Sequence, residues 1–205
     1  MNESELPLKI IEIGRKMYER GFVAANDGNI SVRDGDGSIW ITPTGVSKGD
    51  MSLDMLLRLN PEGEIIAGDR HKSSETDMHL RIYKENPAIN AVVHAHPPYS
   101  TAFAVAEQPL DLPIYPEAAV LLGEVPCAPY AQPGTQAVGE SIVPYLRDHK
   151  AILLAHHGLV AWGENLTEAW HRMESAEGYA RIIMLTKYVM GVVKPLTKEQ
   201  LDALK

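Results

Sequence analysis

The chain has a single cysteine, Cys127, among its 205 residues. One thiol excludes an intramolecular disulfide framework and a cysteine-rich zinc module, and it fits a reducing compartment. Basic residues are in the minority: 19 Lys and Arg stand against 27 Asp and Glu, a formal net charge of -8 that repels a phosphate backbone. Nucleic acid is therefore not an expected partner. No apolar run is long and unbroken enough to span a bilayer, because residues 86–106 lack charged side chains but are interrupted by Pro87, His94, His96, Pro97 and Pro98. The opening MNESELPLKI carries acidic residues and no apolar core, so it does not read as a secretory signal. These absences give the expectation of a cytoplasmic protein with no membrane association. Internal repeats, low-complexity tracts and linkers are missing too, and neither the P-loop nor the dinucleotide fingerprint occurs.

What remains is ordinary globular material, 45% hydrophobic and 22% charged. The length is near the prior of roughly 150 residues per domain, which gives one expected domain over residues 1–205. Leu8, Ile11, Tyr18 and their neighbours at helical spacing over 8–20, closed by Gly21, predict an opening amphipathic helix. NISVR and SIWIT flank the turn Asp34–Gly37 and predict a hairpin. The stretch 52–68 predicts a short helical turn and two strands about the turn at 60–63. Ser74 with Asp77 resembles a capping box for a helix that Pro87 ends. AINAVVHAH predicts a strand, GEVPCAPY (123–130) the end of another, and 136–148 a helix. AILLAHHGLVAWG predicts a further strand run or hairpin. Asn165 and Glu168 then cap a last long helix with Trp170, Met173, Ala176, Ala180, Ile183 and Met184 on one face. Paired strands with interspersed helices favour a three-layer α/β arrangement over a bundle or a β-sandwich.

Alternate residues of a strand share a face, so His94 and His96 project to one side, roughly 7 Å apart, and can share an ion. Pro97 and Pro98 stop that strand at the sheet rim, where α/β folds bind ligands. A lone histidine beside an apolar strand is more often a packed residue; the pair tilts the reading toward a metal. His156 and His157 follow another apolar strand and precede Gly158. Neighbours on a strand face opposite ways, so at most one of them can join the same ion; the dyad could equally be a turn with one solvated ring. Three neutral imidazoles leave an open position, the arrangement of a catalytic zinc site. Glu75 could be a ligand, a general base or a favourable charge in a first helical turn. His79, four residues on, shares its face as a partner or as an amphipathic residue. Gly28 with Asn29, Thr44 with Gly45, and Ser73 with Ser74 offer donors that together could hold an anion.

The segments GNISVR, ITPTG, SSET, AVVHAH, PCAPY and LLAHHGL stand in the order and spacing of the zinc-dependent class II aldolase and adducin-head family, which the chain resembles over nearly its whole length. The resemblance implies a three-layer α/β/α sandwich with a central mixed, largely antiparallel sheet. It also implies a homotetramer with active sites at subunit interfaces and a small-molecule sugar phosphate as substrate. One Zn2+ per chain is implied, with Mn2+ or Co2+ as substitutes. His94, His96 and His157 correspond to the metal ligands, and His156 to the non-ligand member of the dyad. Glu75 corresponds to the catalytic acid/base and a ligand of the resting state. Gly28, Asn29, Thr44, Gly45, Ser73 and Ser74 correspond to a phosphate cradle, and Tyr115 to a proton donor supplied by a neighbouring subunit. The implied reaction is reversible cleavage of a ketose 1-phosphate, L-fuculose 1-phosphate or a related 5-deoxyketose 1-phosphate. Its products are dihydroxyacetone phosphate and an aldehyde, reached through a metal-stabilised enediolate. Related epimerases carry Asp where this chain has Glu75, whereas methylthioribulose-phosphate dehydratases use a glutamate near Tyr115, a role open to Glu117. An adducin-like binding module would have no need of the full ligand set.

Overall fold

The computed structural model describes residues 5–204. Helix α1 (Glu5–Glu19) forms where expected, but it buries Leu6, Ile10, Ile13 and Met17, a stripe one step round the helix from the expected one, and leaves Leu8 and Tyr18 exposed. The strands are β1 (Asn29–Arg33), β2 (Ile39–Ile41), β3 (Leu57–Leu59), β4 (Ile65–Ala67), β5 (Ala91–Ala95), β6 (Cys127–Ala128), β7 (Ala151–Leu154) and β8 (Gly158–Gly163). They form one eight-stranded sheet in the order β4-β3-β2-β1-β5-β8-β7-β6. Neighbours are antiparallel except β6 and β7, so the sheet is mixed and largely antiparallel, as expected.

Helices cover both faces. Ala91, Val93 and Ala95 of β5 point into one apolar cluster with α1, α3 (Pro98–Val105), α4 (Pro116–Leu121) and α6 (Leu166–Ile183). Val92 points into a second, with α2 (Thr76–Glu85) and α5 (Gln136–Ile142). Strand β5 is thus covered on both sides, which is why its sequence is an almost unbroken apolar run. His94, in phase with Val92, faces the α2 side.

Several local expectations change. Ser74 and Asp77 do not form a capping box. Helix α2 starts at Thr76, Glu75 holds the cap position without capping it, and the Ser73 hydroxyl accepts from the Glu75 N–H at 3.2 Å. The strand expected at 123–130 shrinks to Cys127–Ala128. The helix expected over 136–148 becomes α5 and a 3-10 turn at Val143–Tyr145, since Pro144 lacks the N–H that a longer helix needs. Pro98 opens helix α3 besides ending the strand, and Pro116 opens α4, because a proline in the first turn forfeits no hydrogen bond. The cap of α6 is as expected, Asn165 Oδ1 accepting from the Glu168 N–H at 3.0 Å. A π-helical turn, Met184–Val189, and a short α7 (Lys198–Asp202) follow. Among the described residues no helix is long and apolar enough to cross a membrane.

Candidate active site

The sheet delivers the three histidines from two loci. His94 is fully buried in β5, and its Nδ1–H donates to the Leu159 carbonyl of β8 at 3.0 Å. That bond fixes the tautomer and leaves Nε2 bare. His96 lies just past the strand end, with Nδ1 3.4 Å from Asp27 Oδ2 and Nε2 3.2 Å from His94 Nε2. His157 sits in the β7–β8 turn. There His156 adopts a left-handed conformation (φ 56), turns outward and pairs with Glu107 at 3.1 Å. A Cβ on Gly158 would stand 2.5 Å from His96 Cδ2 and 2.6 Å from the Ala95 carbonyl, so only glycine lets the turn come this close. The dyad is resolved: His157 joins His94 and His96, with ligand atoms all within 4.8 Å of one another, and His156 does not.

Glu75 reaches into this cluster from the head of α2. Oε2 is 3.1 Å from His94 Nε2 and Oε1 is 3.1 Å from His157 Nε2. Asn29 Nδ2 donates to Oε2 at 2.8 Å, whereas Oε1 is buried without a hydrogen-bond partner. Burial would raise the Glu75 carboxyl, but the neighbouring His94 and His157 outweigh it and hold the group below the usual carboxylate range. For His94 burial acts downward and Glu75 overcomes it, lifting the imidazole above its ordinary value. His96 is pushed down to about 4 by burial and by His94 and His157.

The residues fit a divalent metal. Tetrahedral coordination at about 2.0–2.1 Å sets ligand atoms roughly 3.3 Å apart, and the two facing nitrogens of His94 and His96 are 3.2 Å apart. Bare nitrogen lone pairs at that distance repel unless a proton or cation lies between them. Three imidazoles and one carboxylate suit zinc, and manganese or cobalt also accept them. The Leu159 carbonyl and Asp27 orient the rings from behind.

The segments expected to hold an anion gather beside the cluster. Gly28 (φ 72) lies so near β5 that a Cβ would be 2.8 Å from the His94 carbonyl. The Thr44 N–H donates to the His71 carbonyl at 3.1 Å and Pro43 pairs with Lys72, which sets the Thr44–Gly45 turn alongside Ser73 and Ser74. Asn29 differs from the rest, since its amide is committed to Glu75 and His79. Lys48, which the sequence gave no reason to single out, is buried; its Nζ donates to the carbonyls of Val46 (2.8 Å) and Asn26 (3.2 Å). It ties the Thr44–Gly45 loop to the one preceding Gly28, and burial lowers its ammonium to about 8. Asp27 was also missed, because a carboxylate in a loop has no periodicity to betray it. Tyr115 stands at the head of α4, its ring 6.1 Å from that of Tyr179 in α6, and neither it nor the exposed Glu117 belongs to the histidine cluster.

Residues 8–184 match the family model described as class II aldolase and adducin N-terminal domain. A 3-oxo-tetronate 4-phosphate decarboxylase of Pectobacterium atrosepticum is 34% identical over 188 residues, covering 90% of this chain and 86% of that one. A 5-deoxy-D-ribulose 1-phosphate aldolase of Bacillus thuringiensis is 35% identical over 198 residues, covering 96% and 92%. Among solved structures, an L-fuculose 1-phosphate aldolase superposes with a TM-score of 0.90 at 30% identity, covering 100% of this chain and 96% of its own.

Proposed function

The chain belongs to the class II aldolase and adducin N-terminal domain family, and on that premise we propose that it is a divalent-metal-dependent lyase. It reversibly cleaves L-fuculose 1-phosphate or a related 5-deoxyketose 1-phosphate to dihydroxyacetone phosphate and an aldehyde. The observation that carries this reading is the convergence of His94, His96 and His157 on the buried Glu75. A scaffold protein has no use for such a cluster, whereas an enzyme needs a carboxylate that can move aside for substrate.

When bound, a divalent cation held by His94, His96, His157 and, at rest, Glu75 supplies Lewis acidity to a carbonyl and its neighbouring hydroxyl. The residues do the rest, and the synthetic direction is the simplest to follow. The turns at Gly28, Thr44–Gly45 and Ser73–Ser74 hold the phosphate of dihydroxyacetone phosphate, and with it the reacting carbon. Glu75 removes a proton from the hydroxyl-bearing carbon next to the carbonyl, and the C–H electron pair becomes the enediolate. The enediolate carbon forms a bond to the aldehyde carbon, whose oxygen takes a proton from Tyr115 of a neighbouring subunit. Cleavage reverses these transfers. The reading includes one domain over the chain, a homotetramer with the site at a subunit interface, and a cytoplasmic location to which the single Cys127 is suited.

A second reading is favoured by the decarboxylase relative. Loss of carbon dioxide from a 3-oxo acid phosphate leaves the same enediolate, and protonation by Glu75 again gives dihydroxyacetone phosphate. That route needs no aldehyde and no Tyr115. The test is a coupled assay for dihydroxyacetone phosphate over a panel of ketose 1-phosphates and 3-oxo acid 4-phosphates, with Tyr115→Phe run beside the wild type. Release from a ketose 1-phosphate that Tyr115→Phe slows supports the aldolase. Release from the acid alone, unaffected by Tyr115→Phe, selects the decarboxylase, and release from neither overturns both.

A further inference from the structure

Two periodicities meet beside Glu75. Glu75, His79 and Tyr83 are spaced by four residues and form a stripe along α2 that rises about 6 Å per step. Asn29 and Ser31 share one face of β1, about 6.8 Å apart. The steps nearly match, so the two rows interlock. The Tyr83 hydroxyl lies 2.6 Å from Ser31 Oγ, and Ser31 Oγ 2.7 Å from His79 Nδ1. His79 Nε2 meets Asn29 Oδ1, and Asn29 Nδ2 reaches Glu75 Oε2 at 2.8 Å. All four supporting side chains are buried, with His79 and Ser31 wholly so.

The last member fixes the direction of the string. A carboxylate only accepts, so Asn29 turns its NH2 to Glu75 and its Oδ1 to His79. An amide oxygen only accepts, so His79 carries its proton on Nε2 and its Nδ1 accepts from Ser31. Ser31 has one proton and gives it there, so Tyr83 donates to Ser31. Every donor points toward Glu75, and hydrogen bonds aligned in one sense polarise one another.

We propose that Asn29, His79, Ser31 and Tyr83 are positioning residues that hold Glu75 Oε2 as a fixed acceptor and reserve Oε1 for the proton exchanged with substrate. The inference rests on the reading of Glu75 as the base. In the synthetic direction the C–H proton goes to Oε1 and its electron pair stays in the enediolate; in cleavage the proton returns from Oε1 to that carbon. Oε1 accepts from none of the four and faces only His157 Nε2, at 3.1 Å, among the site's histidines. Swinging the carboxylate out of this orientation would take both oxygens off Asn29 and leave a buried N–H unpaired, a cost by which the string opposes the movement.

Two measurements test it. Nitrogen-15 NMR of histidine-labelled, metal-loaded enzyme without substrate should show His79 neutral with its proton on Nε2; a proton on Nδ1 overturns the string whatever the activity. In steady-state kinetics on the ketose phosphate that the panel identifies, Tyr83→Phe, Ser31→Ala and His79→Leu should each lower kcat about 10-fold to 100-fold with KM unchanged. His79→Gln, which keeps a donor at the Nε2 position, should recover most of the loss. Unchanged kcat in all three, or a loss that His79→Gln does not relieve, overturns the proposal. Absence of turnover in the wild type on every ketose 1-phosphate and 3-oxo acid 4-phosphate of the panel would overturn the proton-transfer role of Glu75 and with it the assignment to Oε1. That outcome is told apart because the Nε2–H tautomer would still be seen.

Discussion

Glu75 sits where one side chain answers to several neighbours at once, and its removal should separate chemistry from structure. Glu75→Ala is expected to lower carbon-carbon cleavage by at least about 100-fold while its circular dichroism and phosphate inhibition stay near those of the wild type. Undiminished turnover would show that another group is the base. His79 makes a claim about stability. Burial drives its imidazole down to about 3 from 6.5, so the unfolded chain binds a proton that the folded one refuses. The contribution is therefore fully present above pH 6.5 and is lost as the pH falls from there toward 3. Between pH 7 and 5 it is worth roughly 2 kcal/mol. Urea unfolding of metal-free protein at the two pH values should show the wild type losing that much more than His79→Gln, and equal losses would refute a neutral buried His79. At this scale the sequence was most legible where spacing and chemistry agreed. His94 and His96 were readable from a two-residue step on an apolar strand, and the four-residue step from Glu75 to His79 already suggested a partner. Ser31 and Tyr83 were hidden because a serine in a strand and a tyrosine on a helix are ordinary packing residues until the two elements are docked.

Among the elements, α3 depends on a partner outside itself. It begins directly after Pro97, which has no side-chain acceptor for the N–H groups of the first turn. Glu177 of α6 replaces the missing cap, its two carboxylate oxygens accepting from the Tyr99 and Ser100 N–H groups at 2.9 and 2.7 Å. Because α3 leaves β5 just after His96, this contact also anchors the chain beyond a metal ligand. Glu177→Ala should lower unfolding free energy by about 3 kcal/mol, seen as a lower urea midpoint at constant slope. Glu177→Gln, which retains one acceptor, should lose less; a midpoint unmoved in both would remove the cap. Such a contact between residues 77 or more positions apart in sequence leaves no local pattern. The same holds for the prolines of α3 and α4: punctuation marks a boundary, but whether the chain beyond it coils depends on the surface it lands on.

For the whole molecule, the distribution of roles between subunits can be read by complementation. The proposed site draws Glu75 and the histidines from one chain and Tyr115 from another. Mixing inactive Glu75→Ala with Tyr115→Phe under conditions that exchange subunits should restore part of the wild-type rate in aldol cleavage; no recovery would confine each site to one chain. The α/β layering was legible because strands and helices differ in period, and the sheet order was not, because non-neighbouring strands carry no label for one another. That order has a consequence for synthesis of the protein. His94 lies on a strand whose sheet neighbours come from Asn29–Arg33 and Gly158–Gly163, and the third imidazole precedes the latter by one residue. A ribosome-bound chain must therefore release most of its length before the ion can be captured. On the proposed reading metal loading comes late in assembly, so nascent fragments ending before His157 should bind zinc more weakly than the full chain.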